Sequence, residues 1–112
     1  TLAGQLTNVN ADAVAASIAI ALHAEKLTIL TNVDGVRINE KIVSHLTVNQ
    51  AKEFVSKNQI TGGMIPKVSA CVEAVKHKVK KAHLINGVKK HSLLLELFTA
   101  EGMGTELVYD GP

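Results

Sequence analysis

Cysteine, aromatic residues and strong charge are all scarce in this chain. Cys71 is its single cysteine, so neither an intrachain disulfide nor a cysteine-built zinc site can form, which fits a reducing compartment. Alone, Cys71 reads as a small core residue rather than a nucleophile. Aromatics make up only 3% and tryptophan is absent. Aliphatic side chains and alanine must therefore fill the core, and little is left for stacking on bases. The formal net charge is only +2, too small to argue for a nucleic acid partner. No apolar run approaches the ~18 residues of a membrane-crossing helix. The opening residues show no basic, apolar and small-residue progression, so no secretory leader is expected. These absences exclude nucleic-acid and membrane partners and point to a cytoplasmic protein. No cluster of histidine or cysteine offers a metal site built by the protein.

What is present is a 46% hydrophobic sequence of 112 residues, enough for one domain with a core and too short for two. It starts without methionine at a turn-like TLAGQ, and a piece of a longer chain is expected. Gln5 to Val9 reads as a short strand. Asn10 can cap a helix, and Asp12 in its first turn favours the positive helix end. Asn8, Asn10 and Asp12 crowd one helix start, which fits either capping or a site. Ala13 to Ala24 is apolar nearly all round and predicts a buried helix. Leu27 to Thr31 is a β-branched apolar run, read as an interior parallel strand. It leads into TNVDGV, with a turn signal at Asp34-Gly35. Loops at the carboxyl ends of parallel strands are where open α/β sheets bind ligands.

Ile38 to Ser44 is irregular, with room for a small hairpin. Thr47 and Gln50 fit a capping box for a helix ending near Ser56. From Pro66, the apolar residues Val68, Cys71, Val72, Val75 and Val79 recur every three or four positions, as on one stripe of a helix. The basic cluster from Lys76 to Lys81 reads as its solvated C-terminal end. Ala82 to Asn86 is a strand, followed by an Asn86-Gly87 turn. Ser92 caps a short helix from Leu93 to Phe98 that carries Glu96. A loop from Glu101 to Gly104 and a last strand from Thr105 to Tyr109 follow. Such alternation predicts one α/β layered domain over residues 1–112 with a largely parallel sheet.

The stretch ITGGMIPK, Ile60 to Lys67, carries the most chemistry. Gly62 and Gly63 allow positive φ and close approach of a ligand. Pro66 suits the first position of a helix, which puts Lys67 in the first turn, where a cation opposes the helix dipole. Amides of Gly62, Gly63 and Met64, a helix N-terminus and a lysine together resemble a phosphate site. The plain alternative is a glycine turn before a surface helix. The stretch is not a Walker A loop.

NVNAD, TILTNVDGV, ITGGMIPKVSACVEAV and HSLLLELFTAEGMGTELV, in this order and spacing, resemble the acetylglutamate kinases of the amino acid kinase superfamily. The last block is close to the arginine-inhibited branch. The resemblance implies a three-layer α/β/α sandwich with a largely parallel central sheet. It also implies transfer of a phosphoryl group from MgATP to the carboxylate of N-acetyl-L-glutamate, in arginine biosynthesis. Only the nucleotide-binding C-terminal half is matched. The family's first glycine-rich loop and N-terminal lysine have no counterpart, so a missing N-terminal half or self-association is an expected partner.

By position, Lys67 matches the lysine that stabilises the transferring group, and Asp12 the aspartate that orients the catalytic lysines. Asn8 matches an acetylglutamate-binding asparagine, with Asn10 in the same motif. Thr31, Asn32, Val33, Asp34, Gly35, Val36 and Arg37 match one nucleotide-binding segment. Gln59, Ile60 and Thr61, continuing through Gly62, Gly63 and Met64, match another. His83, Glu96 and Gly102 match positions of the L-arginine effector site. Where the family usually has aspartate, this chain has Asn32. Mg²⁺ would be held mostly by phosphates and waters. The rival readings are a module that holds ATP or ADP without turnover, a related carboxylate kinase of the aminoadipate type, and a structural fragment that self-associates.

Overall fold

A computed structural model describes residues 11–87 and 104–110. Its helices are α1 (Ala11–Ala21), α2 (Val48–Ser56) and α3 (Met64–Lys76), and its strands β1 (Lys26–Thr31), β2 (Arg37–Ile38), β3 (Lys41–Ile42), β4 (His45–Thr47), β5 (Lys81–Asn86) and β6 (Thr105–Val108). The main sheet has the order β1-β5-β6-β4, and β2 with β3 forms a separate hairpin. β1 runs parallel to β5 and β4 parallel to β6, while β5 and β6 are antiparallel. The sheet is thus mixed but mostly parallel, with helices packed on it, as an α/β fold requires.

α3 is the central helix, in contact with β1, β5 and β6 and flanked by α1 and α2. Its buried stripe of Val68, Cys71, Ala74 and Val75 shares one core with Leu46, Leu84 and Leu107 of the sheet. These contacts join segments far apart in sequence, and their burial is the main stabilising term. Thr47 closes the expected capping box with Gln50, each side chain serving the other's backbone amide.

Four expectations change. Among the described residues β1 stands at the end of the sheet rather than inside it, and its pairing there is with β5. Leu27, Ile29 and Thr31 are buried while Leu30 is 49% exposed, the alternation of a strand covered on one face. An apolar run does not separate that case from a strand covered on both. Likewise α1 buries Ala16 and Ala19 but leaves Ile18 exposed, as is Leu22 just after its end. Alanine lets it lie close to α3 and β1, and its other apolar side stays uncovered by the described residues. α3 begins two residues before Pro66. Proline at the third position is tolerated because first-turn amides have no intrahelical partner. β4 was not foreseen, since three residues are too few to show a period.

The expected strand at 5–9 and the helix at 93–98 lie outside the described residues. Among the described residues no helix is long and apolar enough to cross a membrane.

Candidate functional site

Two loops build the site. The first leaves β1 at Thr31, whose carbonyl accepts from the Gly87 amide at 2.8 Å. The Asp34 carboxylate accepts from Asn86 Nδ2 at 3.1 Å. Gly35 has φ +153°, and the buried Val36 amide donates to Thr105 Oγ1 at 2.8 Å. The second loop follows α2. Asn58 takes a left-handed φ of 59° while its amide donates to the Val55 carbonyl and that of Gln59 to Phe54, a Schellman closure that stops the helix. Ile60 also bonds the Phe54 carbonyl at 3.1 Å and is buried. Gly62, at φ +60°, takes a left-handed backbone that glycine adopts without strain.

Between the loops lies a cavity of about 390 Å³, lined by Val33, Gly35, Val36, Arg37, Gln59, Ile60, Thr61 and Met64. Every one of these residues falls in the two segments singled out from sequence. Thr31, Asn32, Asp34, Gly62, Gly63 and Lys67 do not line it. The Met64 amide, expected to be available, is turned onto the Thr61 carbonyl at 3.3 Å. Among the described residues nothing crowds the space where a side chain would start at Gly62 or Gly63.

Lys67 lies one turn beyond Met64 on α3. Its Nζ donates to Asp12 Oδ2 at 3.2 Å, with both side chains partly buried. The first turns of α1 and α3 are thereby joined through opposite charges. Cys71, one turn further, is no nucleophile: burial, with the Asp12 charge adding, pushes its thiol up to about 12.

His83 does not line the cavity. It is buried in β5, with Nε2 4.0 Å from Glu106 Oε1. Burial, helped by Lys26, holds its imidazole below the usual range. Glu106 also lies 3.1 Å from His45 Nδ1 and 3.4 Å from Lys81 Nζ. Burial would raise its carboxyl, but hydrogen bonds from His45 and Lys81 hold it below the usual carboxylate range. Asn8, Asn10, Glu96 and Gly102 lie outside the described residues.

Sequence reasoning missed Thr105 and Asn86 as supports of the first loop. The only signal was a threonine directly after a glycine at the start of a strand, and an Asn-Gly turn. No group of three or more His, Cys, Asp or Glu side chains comes together among the described residues.

The chain is 52% identical over 106 residues to the acetylglutamate kinase of Thermoanaerobacter pseudethanolicus, covering 91% of this chain and 36% of that protein. It is 50% identical over 109 residues to that of Halothermothrix orenii, covering 94% of this chain and 38% of that protein. The chain therefore spans little more than a third of the length of these curated relatives. Among solved structures it is similar to N-acetylglutamate synthase from Neisseria gonorrhoeae complexed with coenzyme A and L-arginine, at TM-score 0.81 and 31% identity, over 90% of this chain and 24% of that one. Carbamate kinase from Giardia lamblia shares the fold at TM-score 0.75 and 20% identity, over 90% of this chain and 32% of that one. The pattern of the amino acid kinase family runs through residues 1–86, from before α1 to the end of β5. With both cavity loops, Asp12 and Lys67 inside that span, the chain belongs to the amino acid kinase family.

Proposed function

We propose that this chain is the ATP-binding part of an acetylglutamate kinase, a cytoplasmic enzyme of arginine biosynthesis that transfers the γ-phosphoryl group of ATP to the carboxylate of N-acetyl-L-glutamate. The carrying observation is the cavity between loops 32–37 and 59–64, with Lys67 one helical turn beyond its Met64 wall. Its volume lies within the ~300–1,000 Å³ of small-molecule sites. Val33, Val36, Ile60 and Met64 give the apolar surface that a purine needs, and Arg37 and Lys67 supply cations for phosphates.

The residues fit MgATP, which when bound supplies the transferring group and a metal ion held mainly by phosphate oxygens and water. Lys67 stabilises negative charge on the equatorial oxygens with its ammonium. Asp12 orients that ammonium. Asn8 and Asn10 bind the acetylglutamate. Residues 1–112 act as a single nucleotide-binding domain, which works with an N-terminal half or a second copy. L-Arginine as an effector would engage His83, Glu96 and Gly102, a carboxylate such as Glu96 matching its guanidinium.

Titration of the chain with the ATP analogue AMP-PNP, followed by amide chemical shifts, tests the site. Shifts concentrated at Val36, Ile60, Thr61 and Met64 are expected. Saturable binding that moves other residues instead, or no binding at millimolar analogue, overturns the reading.

A further inference from the structure

Thr105 opens β6 and is completely buried. Its hydroxyl bonds in both senses. Oγ1 accepts from the Val36 amide at 2.8 Å and donates to the Val43 carbonyl at 2.6 Å. Val43 in turn donates its amide to the Val36 carbonyl at 2.8 Å. The hydroxyl therefore sits where residues 36 and 43 close the segment containing the β2–β3 hairpin.

Two glycines make this placement possible. A side chain at Gly35 would start 2.7 Å from Thr105 Oγ1, and one at Gly104 would collide with the Leu84 carbonyl oxygen. Gly104 also needs its φ of +87°. Only glycine lets the chain come so close to β5 and bring Thr105 Oγ1 to the loop. Asn86 adds a second tie through Asp34 at 3.1 Å. The loop is thus held from beneath by the ends of β5 and β6, while Val33, Gly35, Val36 and Arg37 face the cavity.

We infer that Thr105 is a positioning residue for nucleotide: its buried hydroxyl, with Asn86 as a secondary tie, fixes the 33–37 wall of the cavity in its binding shape. This rests on the nucleotide reading. Valine would keep the shape of threonine but leave the buried Val36 N–H and the Val43 carbonyl without the hydroxyl, a costly state that a loop relieves by moving. Serine would keep both bonds and lose only a methyl.

The test measures AMP-PNP affinity of the chain and of Thr105→Val, Thr105→Ser and Val79→Ala, together with amide hydrogen exchange at Val36. Val79 is a buried core residue outside the cavity lining, so its truncation controls for lost stability alone. Thr105→Val is expected to weaken binding at least about tenfold and to release the Val36 amide. Thr105→Ser is expected to stay within about threefold of the parent, and Val79→Ala to bind as the parent does. Parent-like affinity or Val36 protection in Thr105→Val overturns the inference, and so does a Thr105→Ser as weak as the valine variant. If Thr105→Val does not fold, Asn86→Ala carries the test, with a loss of about threefold expected and unchanged affinity counting against. A parent chain that takes up no AMP-PNP sinks the nucleotide reading and this inference with it, an outcome distinct from equal binding by parent and variant.

Discussion

Removing the Lys67 ammonium tests the site most directly. In the free chain its Nζ lies 3.2 Å from Asp12 Oδ2, with side-chain exposures of 26% and 22%. At that separation the bare Coulomb term is about 5 kcal/mol for an effective dielectric constant of ~20. Partial exposure, desolvation and side-chain ordering reduce the net coupling to roughly 1 kcal/mol. A charge-assisted bond to phosphate contributes about 1.5–3 kcal/mol, or roughly ten- to a hundredfold in affinity. Lys67→Ala is therefore expected to weaken AMP-PNP by that factor while costing little stability. Asp12→Asn should act in the opposite direction on ground-state binding. It removes a competitor for the ammonium and a negative charge near the phosphates, so affinity holds or rises. Titration calorimetry on the parent, both single variants and the double variant gives the binding terms, and urea denaturation gives the stability coupling. Equal dissociation constants for parent and Lys67→Ala would remove Lys67 from the phosphate site. A stronger loss in Asp12→Asn than in Lys67→Ala would mean that the carboxylate, not the ammonium, shapes the site.

The 112-residue chain alone is expected not to phosphorylate acetylglutamate, because it spans 36% of a curated relative and each ~1.4 kcal/mol of lost transition-state stabilisation is tenfold in rate; turnover near that of a full-length kinase refutes this. Cys71 should resist a disulfide reagent at pH 8 until urea unfolds the chain, since burial pushes its thiol up to about 12; rapid labelling of the folded chain contradicts the packing. Its raised folded value also means that stability is intact below pH 9 and falls as pH rises from 9 towards 12, when only the unfolded thiol ionises; Cys71→Ala should flatten that fall in urea midpoints. His83 has the opposite sign. Its lowered folded value keeps stability intact above pH 6.5 and loses it on acidification, as the unfolded imidazole takes up a proton first, and an acid limb of the same slope in His83→Gln would show that another group is responsible.

The elements that were legible are those with a local cause. The capping box at Thr47 and Gln50 involves residues three apart and is present as read. The helical stripe through Val68, Cys71 and Val75 needs only its own period, and all three are buried. The loops at 31–37 and 59–64 were marked by Asp-Gly and Gly-Gly, and the structure sets them around one cavity. The position of β1 among the described strands was illegible because strand order is a property of the sheet, and an apolar run of five residues carries no record of what lies beside it. The exposed side of α1 was misjudged for the same reason: Ile18 and Leu22 report what could be buried, not whether anything covers them.

What remained hidden at the site is hidden by sequence separation. Thr105 meets Val36 across 69 residues, and Asn86 meets Asp34 across 52. Neither threonine nor asparagine has a period or a neighbour pattern that announces such a partner. The glycines beside them come nearer to doing so. Gly104 cannot carry a side chain because the Leu84 carbonyl occupies its place, and Gly35 cannot because Thr105 does. Each is a glycine whose need is set by a distant segment. A glycine next to a threonine at a strand start, paired with an Asp-Gly turn after another strand, is thus a long-range packing signal written in two local pieces. Substitution separates the two demands. Gly62→Ala should strain only its own left-handed backbone, at roughly 1–2 kcal/mol, since none of the described residues crowds it. Gly104→Ala must also move β5 or β6, so its larger loss of stability should come with weaker protection of the Val36 amide.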